Sequence, residues 1–487
     1  MIDLAALLDP RRLAELVPEA YARYRPAIAE GLLHFLDGLP PARMAAILAD
    51  QLALPATAGA ARRLVALARH SPALHKLGQV LARDQRLPHE LRALLQTLET
   101  MPPRLDAATV AGMVAAELGR PEALGFALDG PPLAEASVAI VTPIRWHATP
   151  GSAPHRGVLK LLKPGIEEAL ADDLVRLEAL GVWLDAACAR HGLPAIAYAQ
   201  TFARVRLLLA GEVRLTAEQE HLRAARAALA QVHGVVVPEL LPWCTGRVTA
   251  MERLDGRKVT EAAHLPPSAR RRLAASLIEA LLAAPIWSPA EAALFHGDPH
   301  AGNLMLLEDG RVALLDWSLA ARLDRNQREG LTRLLLAACL LDGAAVAASV
   351  AGLAVAPPAA ARLAPVVAAA LADLARGEPL GLAWLTRLLD AAALEGGVDF
   401  PAELLLFRKS LFTMSGVVAE LAPDLPLDAV LAEGFLGCLA TELPTAWWRP
   451  FAAPAPGSHL SSADLSRAVL SLPLVGQRAW LLRIASS

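Results

Sequence analysis

"FHGDPHAGNLMLLEDGRVALLDWS" runs from Phe295 to Ser318 and sets histidines, aspartates and an asparagine close together in a chain that is 55% hydrophobic. Glu308-Asp309-Gly310 between "LMLL" and "RVALLD" predicts a tight β-hairpin. Asp298 and Asn303 put a carboxylate and an amide on one short loop before it. Asp316 falls at the end of the second strand, which the hairpin folds back toward that loop. Three oxygen-bearing side chains are thereby expected to converge.

Phosphoryl transfer asks for such a set: a group that receives or steers the acceptor's proton, and hard oxygen ligands for magnesium. D-x4-N followed by a strand-terminal Asp is the spacing of kinase catalytic and metal loops. A polar turn with no chemistry is the plainer alternative. His296 and His300 stand four apart, as zinc ligands on a helix would, but Pro299 between them disfavours that helix. Both histidines are therefore read as orienting the loop through hydrogen bonds.

The 487 residues exceed what one core holds and imply two to four lobes. With 20% charged residues the chain is not of a disordered type, and a net charge of −3 gives no basic field for nucleic acid. Cys188, Cys244, Cys339 and Cys438 show no ligand or pairing spacing and fit buried thiols of a reducing compartment. The first twenty residues lack the basic start of a secretory signal, so a cytoplasmic location is expected. The nearly uncharged run Leu334 to Ala356 is long enough to span a bilayer. Asp342-Gly343 within it predicts a break between two buried helices instead. Arg467, Arg478 and Arg483 interrupt the end of the chain, so no transmembrane span is expected, while peripheral membrane contact stays open.

Leu and Ala recur at helical spacing up to about residue 125, with "MPPRL" (Met101 to Leu105) as punctuation. From about 131 to 163 "ASVAIVTPIRW" and "GVLKLL" flank a Pro/Gly/Ser loop, a hairpin pattern. "GRVTAMERLDG" (Gly246 to Gly256) is a second β patch, and everything beyond about 325 is again helical. The expected domains are a helical extension (1–125), a small β-containing lobe (126–256) and a helical lobe carrying the loops above (257–487).

"HGDPHAGN…LLDWS" resembles the catalytic stretch of the UbiB/AarF family of atypical kinase-like proteins, and its first half is also similar to aminoglycoside and choline phosphotransferases. Lys76-Leu77-Gly78-Gln79 looks like that family's KxGQ motif. Ala134, Glu135, Ala136 and Ser137 match its alanine-rich nucleotide loop. Lys160 in "GVLKLLKPGIEE" matches its ATP lysine, and "LLLAGEVRLTAEQEHL" its ExD segment. There Glu212 stands at the motif glutamate and Glu218 at the partner of the ATP lysine. "FRKSLFTMSGVVAELAPDLPL" is like its late helical segment. The resemblance implies an α+β, two-lobed protein-kinase-like fold with an N-terminal helical extension, and ATP and Mg2+ as cofactors. It assigns Asp298, Lys160 and Glu218 to catalysis, and Asn303 and Asp316 to the metal. Ala134, Ala136, Ser137, Lys160, Lys76 and Gln79 would contact the nucleotide. A lipid or quinone-pathway component is the implied partner, with the KxGQ extension occluding protein substrates. Composition adds weight, because only five of the 46 basic residues are Lys, and two of them are Lys76 and Lys160.

Three positions depart from the family pattern. Arg214 replaces the ExD aspartate. Glu135 puts a carboxylate in the nucleotide loop, where it either turns to solvent or weakens nucleotide binding. Trp317-Ser318 stands for Phe-Gly, removing glycine's backbone freedom after the metal aspartate. The leading expectation is an active ATP-dependent kinase or ATPase. A nucleotide-regulated pseudokinase with a lipid or protein partner comes second, and an aminoglycoside- or choline-type phosphotransferase third.

Overall fold

The computed structural model describes residues 17, 19–55, 57–81, 89–96, 105–147, 149, 152–193 and 198–485. The prolines at 102–103 and most of the amino-terminal segment read for a signal lie outside them. The chain divides into two compact units, residues 1–220 with 239–253, and residues 221–238 with 254–487. The helical extension and the β-containing segment, expected as separate domains, thus form one unit, and residues 221–238 belong with the other.

In the first unit the Leu/Ala periodicity yields α1 (Arg25–Leu36), α2 (Pro41–Ala53), α3 (Ala60–Ala68), α4 (Pro72–Leu81), α5 (His89–Gln96) and α6 (Ala107–Leu118). Asp106 caps α6 by accepting from Thr109 N at 2.7 Å. Phe35, Leu36, Ile47 and Leu67 form a core with Leu170 and Leu177 of α7 (Ile166–Ala187) and Leu209 of α8 (Tyr198–Ala210). α9 (Leu215–Ala228) follows.

The expected hairpin is present as β3 (Ala139–Trp146) and β4 (His155–Leu162), antiparallel with Trp146 opposite His155. β1 (Phe126–Leu128), β2 (Ala134–Glu135) and β6 (Val248–Glu252) complete the sheet, in the order β1-β3-β4-β6 with β2 on β3. Strand residues alternate between faces. Leu159 and Leu161 point into a core with Ile140, Ile144, Val248 and the α6 residues Val110 and Val114. Leu162 lies on the opposite face, in a cluster with Ile166 and with Leu215 at the start of α9. That alternation puts Lys160 on the α9 side. Gly165, with φ of +64°, makes the left-handed turn into α7 that a side chain would strain.

The second unit holds two small sheets. β5 (Val235–Val236), β10 (Val312–Leu314), β9 (Leu304–Leu307) and β7 (Gly256–Lys258) pair in that order, and β8 (Ala292–His296) pairs antiparallel with β11 (Ala320–Asp324). β9 and β10 are the hairpin expected around Glu308-Asp309-Gly310, with Leu306 opposite Val312. The helices begin with α10 (Pro267–Ile278), which runs on through a π turn (Glu279–Ala283) to Ile286. Next come α11 (Arg325–Cys339), opened by an Asp324/Gln327 capping box, and α12 (Gly343–Gly352). Asp342 caps α12, so the apolar run Leu334 to Ala356 is broken into two helices where expected. α13 (Ala360–Ala375), α14 (Leu382–Leu394), α15 (Ala402–Leu421), α16 (Leu427–Glu442), α17 (Ser462–Ser471) and α18 (Val475–Ala485) follow. Among the described residues no helix is long and apolar enough to cross a membrane, and all four cysteines are free thiols.

Candidate active site

The loop after β8 is organised by His296, which is fully buried. Its Nδ1 accepts from Asp298 N at 3.1 Å and its Nε2 lies 2.9 Å from Leu315 O. One acceptor and one donor on the same ring define the neutral Nε2–H tautomer. Burial holds its pKa below the ordinary histidine value, which keeps that form. His300 Nδ1 in turn accepts from Gly302 N at 3.0 Å. Both histidines therefore shape the loop, as the sequence suggested.

Asp298 is nearly buried, at 6% exposure. Asn303 Nδ2 donates to its backbone carbonyl at 3.0 Å, which orients the amide and leaves Oδ1 as its acceptor atom. Leu315 N donates to Asn303 O at 2.8 Å, fixing the loop to the segment that carries Asp316. Asp316 is exposed and adopts φ of +52°, a conformation that Asp tolerates better than most residues. Its Oδ1 accepts from Ser318 N at 3.3 Å. Left-handed backbone thus sits at Asp316 and not at 318, so Ser318 is not asked to do what glycine does. Trp317 is 2% exposed, donates to Leu314 O at 3.2 Å and lies 4.7 Å from the His296 ring, an apolar anchor as expected.

Asn303 and Asp316 offer a neutral and an anionic oxygen, the donor chemistry magnesium takes alongside nucleotide phosphates and water. Among the described residues no group of three or more His, Cys, Asp or Glu could hold a metal.

In the first unit Lys160 Nζ stands 2.7 Å from Glu218 Oε1, with the carboxylate only 1% exposed. α9 is fixed beside the sheet by Gln219, whose Nε2 donates to Thr245 O, Val248 O and Thr249 Oγ1 at 2.9 to 3.2 Å. Lys76 of α4 meets Glu212 at 2.8 Å, joining the two motif segments on which they were expected. Gln79 lies on α4, but its side chain is outside the described residues. Ala134 is on β2, while Ala136 and Ser137 form the turn into β3, closed by Ala136 N to Ala139 O at 2.8 Å. Glu135 does not turn to solvent. Its Oε1 is 2.8 Å from Lys163 Nζ, and both side chains are largely covered. Arg214 is exposed just before α9, where its carbonyl accepts from Glu218 N at 3.3 Å.

The expected residues divide by unit: Lys76, Ala134, Ala136, Ser137, Lys160, Glu212 and Glu218 in the first, Asp298, Asn303 and Asp316 in the second. Sequence reasoning passed over Asp173. Fully buried on α7, it accepts from Arg43 Nη2 and Ser71 Oγ at 2.6 Å and from Ala73 N at 3.1 Å, and so anchors the start of the Lys76 helix. Lys409, 3.1 Å from Asp298 Oδ1, was also missed as a site residue. The scarcity of lysine was the signal that could have found it.

Residues 97–350 match the profile of the ABC1 atypical kinase-like domain. An uncharacterized aarF domain-containing protein kinase of Arabidopsis thaliana chloroplasts is 29% identical over 262 residues, 51% of this chain and 46% of that protein. A probable protein kinase UbiB of Pseudomonas fluorescens is 28% identical over 257 residues, 50% of this chain and 45% of that one. This chain spans about half the length of the curated relatives it matches. A Mycobacterium tuberculosis protein solved with erythromycin is 20% identical, with a TM-score of 0.49, covering 74% of this chain and 92% of its own.

Proposed function

Since the chain belongs to the ABC1 atypical kinase-like family, with its α+β kinase-like fold, we propose that it binds Mg·ATP and transfers or hydrolyses the terminal phosphoryl group. The observation that supports this most is the Lys160–Glu218 ion pair. A nearly buried carboxylate holding an ammonium on a sheet strand is the device that presents a lysine to the α- and β-phosphates in kinases. Asn303 and Asp316 would hold magnesium, which when bound neutralises phosphate charge. Asp298 orients the acceptor hydroxyl or water. The bond from the terminal phosphorus to the ADP oxygen breaks, and one to the acceptor oxygen forms. ADP keeps the electron pair, and the acceptor proton passes to Asp298 and then to solvent.

The acceptor class is the one that the resemblance to UbiB/AarF proteins implies, a lipid or isoprenoid-quinone precursor met by peripheral membrane contact. The test is ADP release with and without anionic lipid vesicles. Asp298→Asn should lower turnover by about 10² to 10⁴-fold while nucleotide affinity is kept. Turnover equal to the unaltered protein would remove the catalytic assignment.

A second reading, a nucleotide-regulated pseudokinase binding a lipid or protein partner, draws on Glu135. Held against Lys163, it leaves a carboxylate in the nucleotide loop. That reading expects biological function to survive Asp298→Asn.

A further inference from the structure

Lysine is scarce in this chain, yet four of its five lysines stand within 3.1 Å of a carboxylate: Lys76 at Glu212, Lys160 at Glu218, Lys163 at Glu135 and Lys409 at Asp298. Where arginine is the default cation, lysine marks positions that take a compact ammonium and not a planar fork. The first three lie on segments whose chemistry was anticipated. Lys409 lies on α15, far along the chain from the loop it meets.

α15 is fastened to that loop by one face. Ser410 Oγ donates to His296 O at 2.8 Å in a buried contact. Phe407 meets Phe295 edge-on with centroids 5.2 Å apart. Leu406 packs so closely on Gly297 that an added Cβ there would come within 2.7 Å of its Cδ2. Residues 406, 407, 409 and 410 therefore all address residues 295 to 298, and Lys409 is delivered by a rigid element and not by a mobile surface arm. From His296 to Asn303 the loop has no Lys or Arg of its own. His300 Nε2 stands 4.0 Å from Asp298 Oδ2, and the closer, permanently charged group, 3.1 Å from Asp298 Oδ1, comes from α15.

We propose that Lys409 is a positioning residue of the phosphoryl-transfer centre, its ammonium holding the Asp298 carboxylate in the orientation that meets the acceptor and offsetting negative charge beside the transferred group. This deepens the Mg·ATP reading above and rests on it. A surface ion pair added only for stability would not need a helix packed this tightly onto the one loop whose aspartate is proposed to act.

The test uses the full chain. ADP release and nucleotide affinity are measured for the unaltered protein, Lys409→Ala, Lys409→Arg and Arg408→Ala, with thermal midpoints for each. Arg408 is the control, since it pairs with Asp390 and not with the loop. A misplaced reacting group costs on the order of 10²-fold, so Lys409→Ala should lose about that in kcat with its nucleotide affinity kept. Methylammonium should restore part of the Lys409→Ala rate, and tetramethylammonium at the same ionic strength should not. Lys409→Arg should fall between the two. Arg408→Ala should turn over normally. Unchanged kcat in Lys409→Ala overturns the inference and leaves the Mg·ATP reading standing. So does a loss that tracks a lowered thermal midpoint and that methylammonium does not relieve. An unaltered protein that neither binds nor hydrolyses Mg·ATP overturns both.

Discussion

His296 shows how much of the site rests on one neutral ring. Nδ1 must accept from Asp298 N while Nε2 donates to Leu315 O, so protonation would break the first contact. Its folded pKa is depressed, chiefly by burial. The stability it contributes is therefore full above the unfolded value and is lost as pH falls from there toward the folded value. Nitrogen-labelled histidine spectra should show the Nε2–H tautomer persisting below pH 6.5, the ordinary value from which it is lowered. His296→Gln should flatten the fall in thermal midpoint over that range, whereas an unchanged pH profile would contradict the assignment. Asp298, Asn303, Asp316, Lys160 and Glu218 were readable from spacing and resemblance because their neighbours in sequence carry the pattern. Asp173 and Lys409 were not, because each acts on a segment about a hundred residues away, and a family-like stretch around Lys409 does not tell which loop its helix meets.

At the scale of elements, α9 and α4 carry the first unit's share of the chemistry, and each has an unusual start. Arg214 occupies the position before α9, where an aspartate would accept from the first-turn amides and favour the helix dipole. Arg214→Asp is expected to raise stability by about 0.5–2 kcal/mol, read from denaturant unfolding. No gain would show that the exposed arginine has another purpose. α4 begins instead on a carboxylate borrowed from α7. Removing it strands Arg43 and the Ser71–Ala73 turn, so Asp173→Ala should lose about 3–5 kcal/mol and loosen the Lys76–Glu212 contact. The hairpins were legible because Glu308-Asp309-Gly310 and the loop after Trp146 are local signals. The merging of the helical extension with the β-containing segment was not. It depends on Phe35, Ile47 and Leu67 finding Leu170 and Leu177, a pairing that local periodicity does not encode.

For the molecule as a whole, the two units divide the proposed labour. The first presents a braced lysine and a carboxylate-bearing nucleotide loop, the second an acceptor-orienting aspartate and two oxygen ligands. The break expected at Asp342 is seen as the cap of α12. The most direct measurement is ATP affinity by calorimetry, with magnesium and with chelator, for the unaltered protein and Asp316→Ala. Magnesium should tighten ATP binding to the unaltered protein, and Asp316→Ala should lose that gain. Equal Mg·ATP affinity in the two proteins would contradict the account.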